Sequence, residues 1–186
     1  MSTSADYLES VRKLFRYYKK LGEQAMEQLH PEQLFLCPNP ESNSIATIAK
    51  HLWGNMRSRW TDFFTSDGEK PWRQRDEEFE NDWTTREEVM EKWEEGWACF
   101  LDTLDRIQES DLERIVYIRN EGHTVLEAIN RQLAHYPYHV GQMIFAAKTA
   151  KPGAWDSLSI PRNQSASFNA DKFARDKQRK HFTDGR

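Results

Sequence analysis

Two histidines four residues apart, His135 and His139, are the residues whose type and spacing first suggest chemistry. On a helix, positions i and i+4 share a face one turn apart, which brings two imidazoles close enough to share a metal ion. Two ligands hold a metal poorly, so a third is needed. His51 is the best candidate, because it lies three residues after Ile48 and one before Leu52, on the flank of the apolar stripe of another predicted helix. Helical bundles build metal sites from residues on facing helices in this way. An H-x-x-x-H pair alone is a low-specificity pattern, found equally on surface and core histidines. His30 at a helix end, His123 before a cap and His181 near the end of the chain suit such ordinary roles. Tyr136 follows His135 where a zincin would carry glutamate, so that protease reading fails.

Four helices must position these residues. The first is predicted from about Ala5 to Leu29, with Leu8, Val11, Phe15, Leu21, Ala25 and Met26 among its apolar stripe and His30-Pro31 as its stop. Ser42-Asn43-Ser44 offers N-cap chemistry for a second, about Ile45 to Phe64. A loop from about Thr65 to Trp83 is long for a compact bundle and suits a crossover between its ends. Thr84 with Glu87 predicts a capping box for the third helix, whose face carries Val89, Trp93, Trp97, Phe100, Leu101 and Leu104. Trp93 and Trp97 read as core; Trp53 and Trp60 could line a pocket or a dimer face. Ile115 to Arg119 predicts a short hairpin-like connector turning at Asn120-Glu121-Gly122, and Thr124 with Glu127 caps a fourth helix to about Lys148. Pro137 lies inside that helix, where it removes one backbone hydrogen bond and predicts a kink at the histidine pair. Periodicity is lost after Pro152-Gly153. Residues 155–168 read as an apolar strap on the bundle, and residues 169–186 as a charged, flexible tail. The acidic run Asp76-Glu77-Glu78 reads as solvated loop.

Composition narrows the function classes. The 186 residues carry 26 Lys and Arg against 30 Asp and Glu, a formal net charge of -4, with the two signs interspersed. Nucleic-acid binding needs a concentrated basic footprint, so it is not expected. No stretch approaches the length of an apolar membrane span, and the start of the chain lacks the apolar core of a signal peptide. With only Cys37 and Cys99, a cytoplasmic protein with reduced thiols is expected.

The stretch EAINRQLAHYPYHVGQM, Glu127 to Met143, resembles the last helix of the DinB-like (DinB/YfiT) superfamily, and IAKHLWGN, Ile48 to Asn55, resembles its second helix. LSIPRNQS, Leu158 to Ser165, matches a segment that follows the histidine motif in an uncharacterised bacterial branch. The resemblance runs from about Asp6 to Phe168. It implies an all-α four-helix bundle, a homodimer, and a divalent metal, zinc or nickel, held by His51, His135 and His139. Three protein ligands leave a coordination position open, the arrangement of catalytic rather than structural sites. Such a metal lowers the pKa of water or of a thiol, so hydrolysis and thiol transfer are the natural chemistries. Within the superfamily, a metal-dependent thiol S-transferase using a low-molecular-weight thiol on small electrophiles is one implied activity. A hydrolase, or a non-catalytic bundle that binds metal or ligand, are the alternatives. No catalytic acid or base is legible. Asn55, one turn after His51, and Gln142, three residues after His139, are candidates for groups that orient the ligands.

Overall fold

A computed structural model describes residues 2–151 and 153–185; Met1, Pro152 and Arg186 lie outside the described residues. Among these residues the fold is helical, with five α-helices and one two-stranded sheet. Helix α1 spans Thr3–Glu27, α2 Ile45–Trp60, α3 Arg86–Arg106 and α4 Val125–Ala150. Strands β1 (Ile115–Ile118) and β2 (Glu121–Thr124) pair antiparallel, and α5 covers Ser165–Phe173. Helix α2 packs along α3 and α1 along α4, while α2–α4 and α1–α3 contacts complete the set around one core.

Local chemistry sets the helix starts. Ser2, Ser44, Thr85 and Thr124 each accept a hydrogen bond from the backbone three residues on, which satisfies an otherwise unpaired N–H of the first turn. At α3 the cap is Thr85, one residue later than the predicted Thr84, and it is the side chain of Glu88 that reaches back to the Thr84 N–H. At α4 the predicted Thr124–Glu127 capping box is present. Helix α2 ends at Trp60, short of the predicted Phe64, where Asp62 adopts φ +49°. The hairpin turns at Arg119-Asn120 rather than at 120–122. Both residues have positive φ, as a two-residue type I′ turn requires.

The apolar stripes meet in an aromatic core. Phe100 lies at its centre, edge-on to Phe15 at 4.6 Å and to Tyr136 at 5.2 Å, with Trp60 at 4.7 Å and Trp97 at 5.9 Å. Trp93 and Trp97 are fully buried, as their spacing predicts. Trp60 is core as well, whereas Trp53 is half-buried and donates from Nε1 to Glu95. Gly96 lets α3 approach the backbone of Trp53, since a Cβ there would lie 3.0 Å from its Cα.

The long connection between α2 and α3 is ordered by its own contacts. Asp67 accepts from the backbone N–H groups of Arg119 and Asn120, both at 2.8 Å, and the Gly68 N–H donates to the Tyr117 carbonyl. These bonds fasten the connection to the hairpin. A 3-10 turn at Asp76–Phe79 then lays Glu78 against α2, buried rather than solvated as the acidic run predicts. Near the end of the chain, α5 is a helix that no periodicity announces. The chain then returns to α1, where Arg179 pairs with Asp6, His181 meets Ser10 and Asp184 pairs with Lys13.

Truncating the centre of this core leaves a cavity that neighbours cannot fill, so Trp97→Ala should cost about 3–5 kcal/mol in urea denaturation. Phe145→Ala, on the outer face of α4, should stay within about 0.5 kcal/mol. Equal losses in the two variants would contradict this account of the core.

Candidate metal centre

Tyr136 sets the register of the site. Its ring is fully buried, its hydroxyl donates to Asn55 Oδ1 (3.1 Å) and accepts from Trp60 Nε1 (3.0 Å), and both partners lie on α2. His135 precedes Tyr136, and His51 lies one turn before Asn55. Fixing Tyr136 against Asn55 therefore brings the two histidines together. His135 Nε2 lies 3.3 Å from His51 Nε2 and 3.1 Å from His139 Nε2. Helix α4 runs unbroken through Pro137, and the histidine pair still converges. One ring nitrogen of each of the three lies within 4.8 Å of the others; among the described residues no further histidine, cysteine or carboxylate joins them. His30, His123 and His181 stand elsewhere.

The other ring nitrogen of each histidine has its own partner. His51 Nδ1 meets Glu78 Oε2 at 2.9 Å, His139 Nδ1 meets Gln142 Oε1 at 2.8 Å, and His135 Nδ1 meets Gln132 Oε1 at 3.4 Å. An ionised carboxylate only accepts, so His51 carries its proton on Nδ1. The glutamine oxygens select the same tautomer for the other two. All three Nε2 atoms then present lone pairs to one point, with no donor among them. A cation is what such a set fits. At zinc–nitrogen distances of about 2.0–2.1 Å, a tetrahedral edge is about 3.3 Å, close to the separations seen.

Gln142 contacts His139, as its spacing suggests, whereas Asn55 meets Tyr136 rather than a histidine. Glu78 and Gln132, neither of them singled out by the sequence, contact His51 and His135. Gln132 stands three residues before His135, the mirror of Gln142 after His139, so helical spacing could have found it. Glu78 lies 27 residues from His51 with no periodic signal. Burial alone would raise the Glu78 pKa, but hydrogen bonds from His51 and Arg73, with the charge of Arg73, hold it below its ordinary value. Gly54 makes room for this carboxylate, because a Cβ there would lie 2.7 Å from Glu78 Cδ.

A cavity of about 370 Å³ opens on the three histidines. Asn55, Gln132, Phe79 and five arginines (Arg59, Arg73, Arg75, Arg119 and Arg131) complete its lining. Neither Cys37 nor Cys99 is among the lining residues.

Burial, then repulsion from His139, His51 and nearby arginines, pushes the His135 pKa down to about 3. Burial and His51 push His139 down to about 4, against a raising contribution from Gln142. The unfolded chain takes up these protons near pH 6.5, the folded chain only near 3 to 4. Stability present above about pH 6.5 is therefore lost progressively as the pH falls toward about 4. Denaturation of metal-free protein at about pH 7.5 and about pH 5 should show this loss, and His135→Asn should reduce it. An unchanged pH slope in the variant would contradict the assignment.

A family model described as protein of unknown function (DUF1572) matches residues 2–164, a span that holds all three histidines, Glu78 and both glutamines. No curated protein and no solved structure matches the chain. No helix among the described residues is long and apolar enough to cross a membrane. The chain belongs to the DUF1572 family, a DinB-like family.

Proposed function

We propose that His51, His135 and His139 hold one divalent metal ion, zinc or nickel, and that the protein is a metal-dependent thiol S-transferase acting on small electrophiles. In this reading the four long helices are a DinB-type bundle, and the protein works as a homodimer in the cytoplasm. The observation that carries it is the convergence of three proton-free Nε2 atoms at the wall of a cavity with no carboxylate in its lining. His51, His135 and His139 would hold the ion, which would supply a lowered pKa to a thiol or water beside it.

The chain's own residues do the rest. Glu78, Gln132 and Gln142 hold the imidazoles in their tautomer and orientation. Phe79 stacks on His51 at 5.0 Å and shields that side of the site. The thiol comes from outside, since neither cysteine lines the cavity. Transfer forms a carbon–sulfur bond and breaks the bond from that carbon to its leaving group. The leaving group departs with the electron pair, and the thiol proton goes to solvent. This chemistry asks for no general base once the thiol is ionised, which suits a cavity whose lining offers no carboxylate. The same lack keeps a non-catalytic binding role as the second reading.

Zinc- or nickel-loaded protein should accelerate conjugation of cysteine or glutathione to monochlorobimane with saturation in both reactants, and His139→Ala should return the rate to background. Ester hydrolysis without thiol would point instead to a hydrolase. No turnover of either kind, in protein that binds metal, would leave the binding role. A second outcome concerns orientation of the ligands. Gly54→Ala drives a methyl group into the Glu78 carboxylate and should weaken zinc binding about 10- to 100-fold in chelator competition. Affinity equal to the wild type would contradict the part assigned to Glu78.

A further inference from the structure

Five guanidinium groups line one small cavity, and their neutralisation is incomplete. Glu78 is taken by Arg73, at 2.7 Å. Glu69 is shared between Arg59 (3.3 Å), Arg73 (3.4 Å) and Arg119 (3.1 Å). Arg75 has as its ion-pair partner Asp76 at 3.9 Å, a carboxylate fully exposed to water, and its guanidinium lies over the Phe79 ring at 5.2 Å, a contact that neutralises no charge. Arg131 has no ion pair or hydrogen bond among the described residues. Arg59 is buried, and its Nε has no hydrogen-bond partner. Burial, followed by repulsion from Arg73, lowers the Arg59 pKa, as expected where cations outnumber their counter-ions.

This surplus stands beside a centre that itself fits a cation. Guanidinium groups only donate, and their planar fork matches the oxygens of a carboxylate or a phosphate. A buried donor without a partner costs free energy that a bound acceptor recovers. The cavity volume is near the lower end for small-molecule sites, so a small molecule matches it in size.

We propose that this cavity binds the anionic group, carboxylate or phosphate, of a small-molecule substrate, with the unpaired Arg131 and the weakly paired Arg75 as its arms and Arg59 as a donor in its wall. The proposal rests on the histidine centre as the place of reaction, since the anion then fixes how far the reacting atom sits from it. Arg73 and Arg119, already paired, contribute field more than contact.

Isothermal titration calorimetry of inorganic phosphate and of malonate, on full-length protein in metal-free and zinc-loaded forms, tests this. Arg131→Gln with Arg75→Gln changes two exposed side chains, and Arg16→Gln on α1 serves as a distant control. Wild type and control should bind at least one probe saturably in both metal states. The double variant should bind about ten- to a hundredfold more weakly with zinc content unchanged. The preferred probe identifies carboxylate or phosphate as the source. Binding that the double variant leaves intact, binding seen only with zinc and indifferent to the arginines, or no binding at all would each overturn the proposal. Arginine-dependent binding in protein that takes up no zinc would support it and sink the metal centre alone. Normal zinc uptake without anion binding would do the reverse.

Discussion

The Glu78 carboxylate, buried between the His51 imidazole and the Arg73 guanidinium, ties the parts of this molecule together. It receives two hydrogen bonds from Arg73 and one from His51. Arg73 and Glu78 both belong to the long connection after α2, while His51 belongs to α2 itself. One charge therefore folds the connection onto the helix, fixes a histidine tautomer and brings arginines to the cavity. Removing one partner of such a buried pair costs about 3–5 kcal/mol, because the other charge is left unpaired. The absence of a side chain at Gly54 is part of the same arrangement, since any Cβ there would displace the carboxylate.

A second constraint comes from the core. Tyr136 is both the aromatic partner of Phe100 and the hydrogen-bond partner of Asn55 and Trp60. Packing energy and polar register thus act on one residue, adjacent to a histidine of the site. Burial disfavours protonation of His135 and His139, so their lone pairs stay available in the range where metals compete with protons. Arginines nearby add positive charge to a site already suited to a cation.

The helical elements are legible in the sequence because apolar residues recur at helical spacing and the caps carry short polar side chains in characteristic places. His135 and His139 are legible as a pair by the i, i+4 rule, and His51 by its position beside Leu52. Spacing alone does not connect His51 to the pair across more than eighty residues; the resemblance to DinB-like proteins does. The partners of the histidines are less visible. Gln132 and Gln142 obey helical spacing, yet an amide at such a position is usually surface. Glu78 reads as solvated because it stands in an acidic run, and only the folding of the connection onto α2 buries it. The arginine cluster is hidden for the same reason: Arg59, Arg73, Arg119 and Arg131 come from four separate elements, and Asp67 brings the hairpin carrying Arg119 to the rest through backbone bonds. Helix α5, with no buried face, leaves no stripe to read.

The central claim is that three histidines form one metal site, and metal content tests it most directly. Untagged protein purified without added metal or chelator would be analysed for its elements, beside His51→Ala and His135→Ala. The account predicts about one divalent ion per chain in the wild type, lost in both variants although the two histidines lie on different helices. Protein that carries no metal and takes up neither zinc nor nickel, with both variants folded as the wild type, would contradict it.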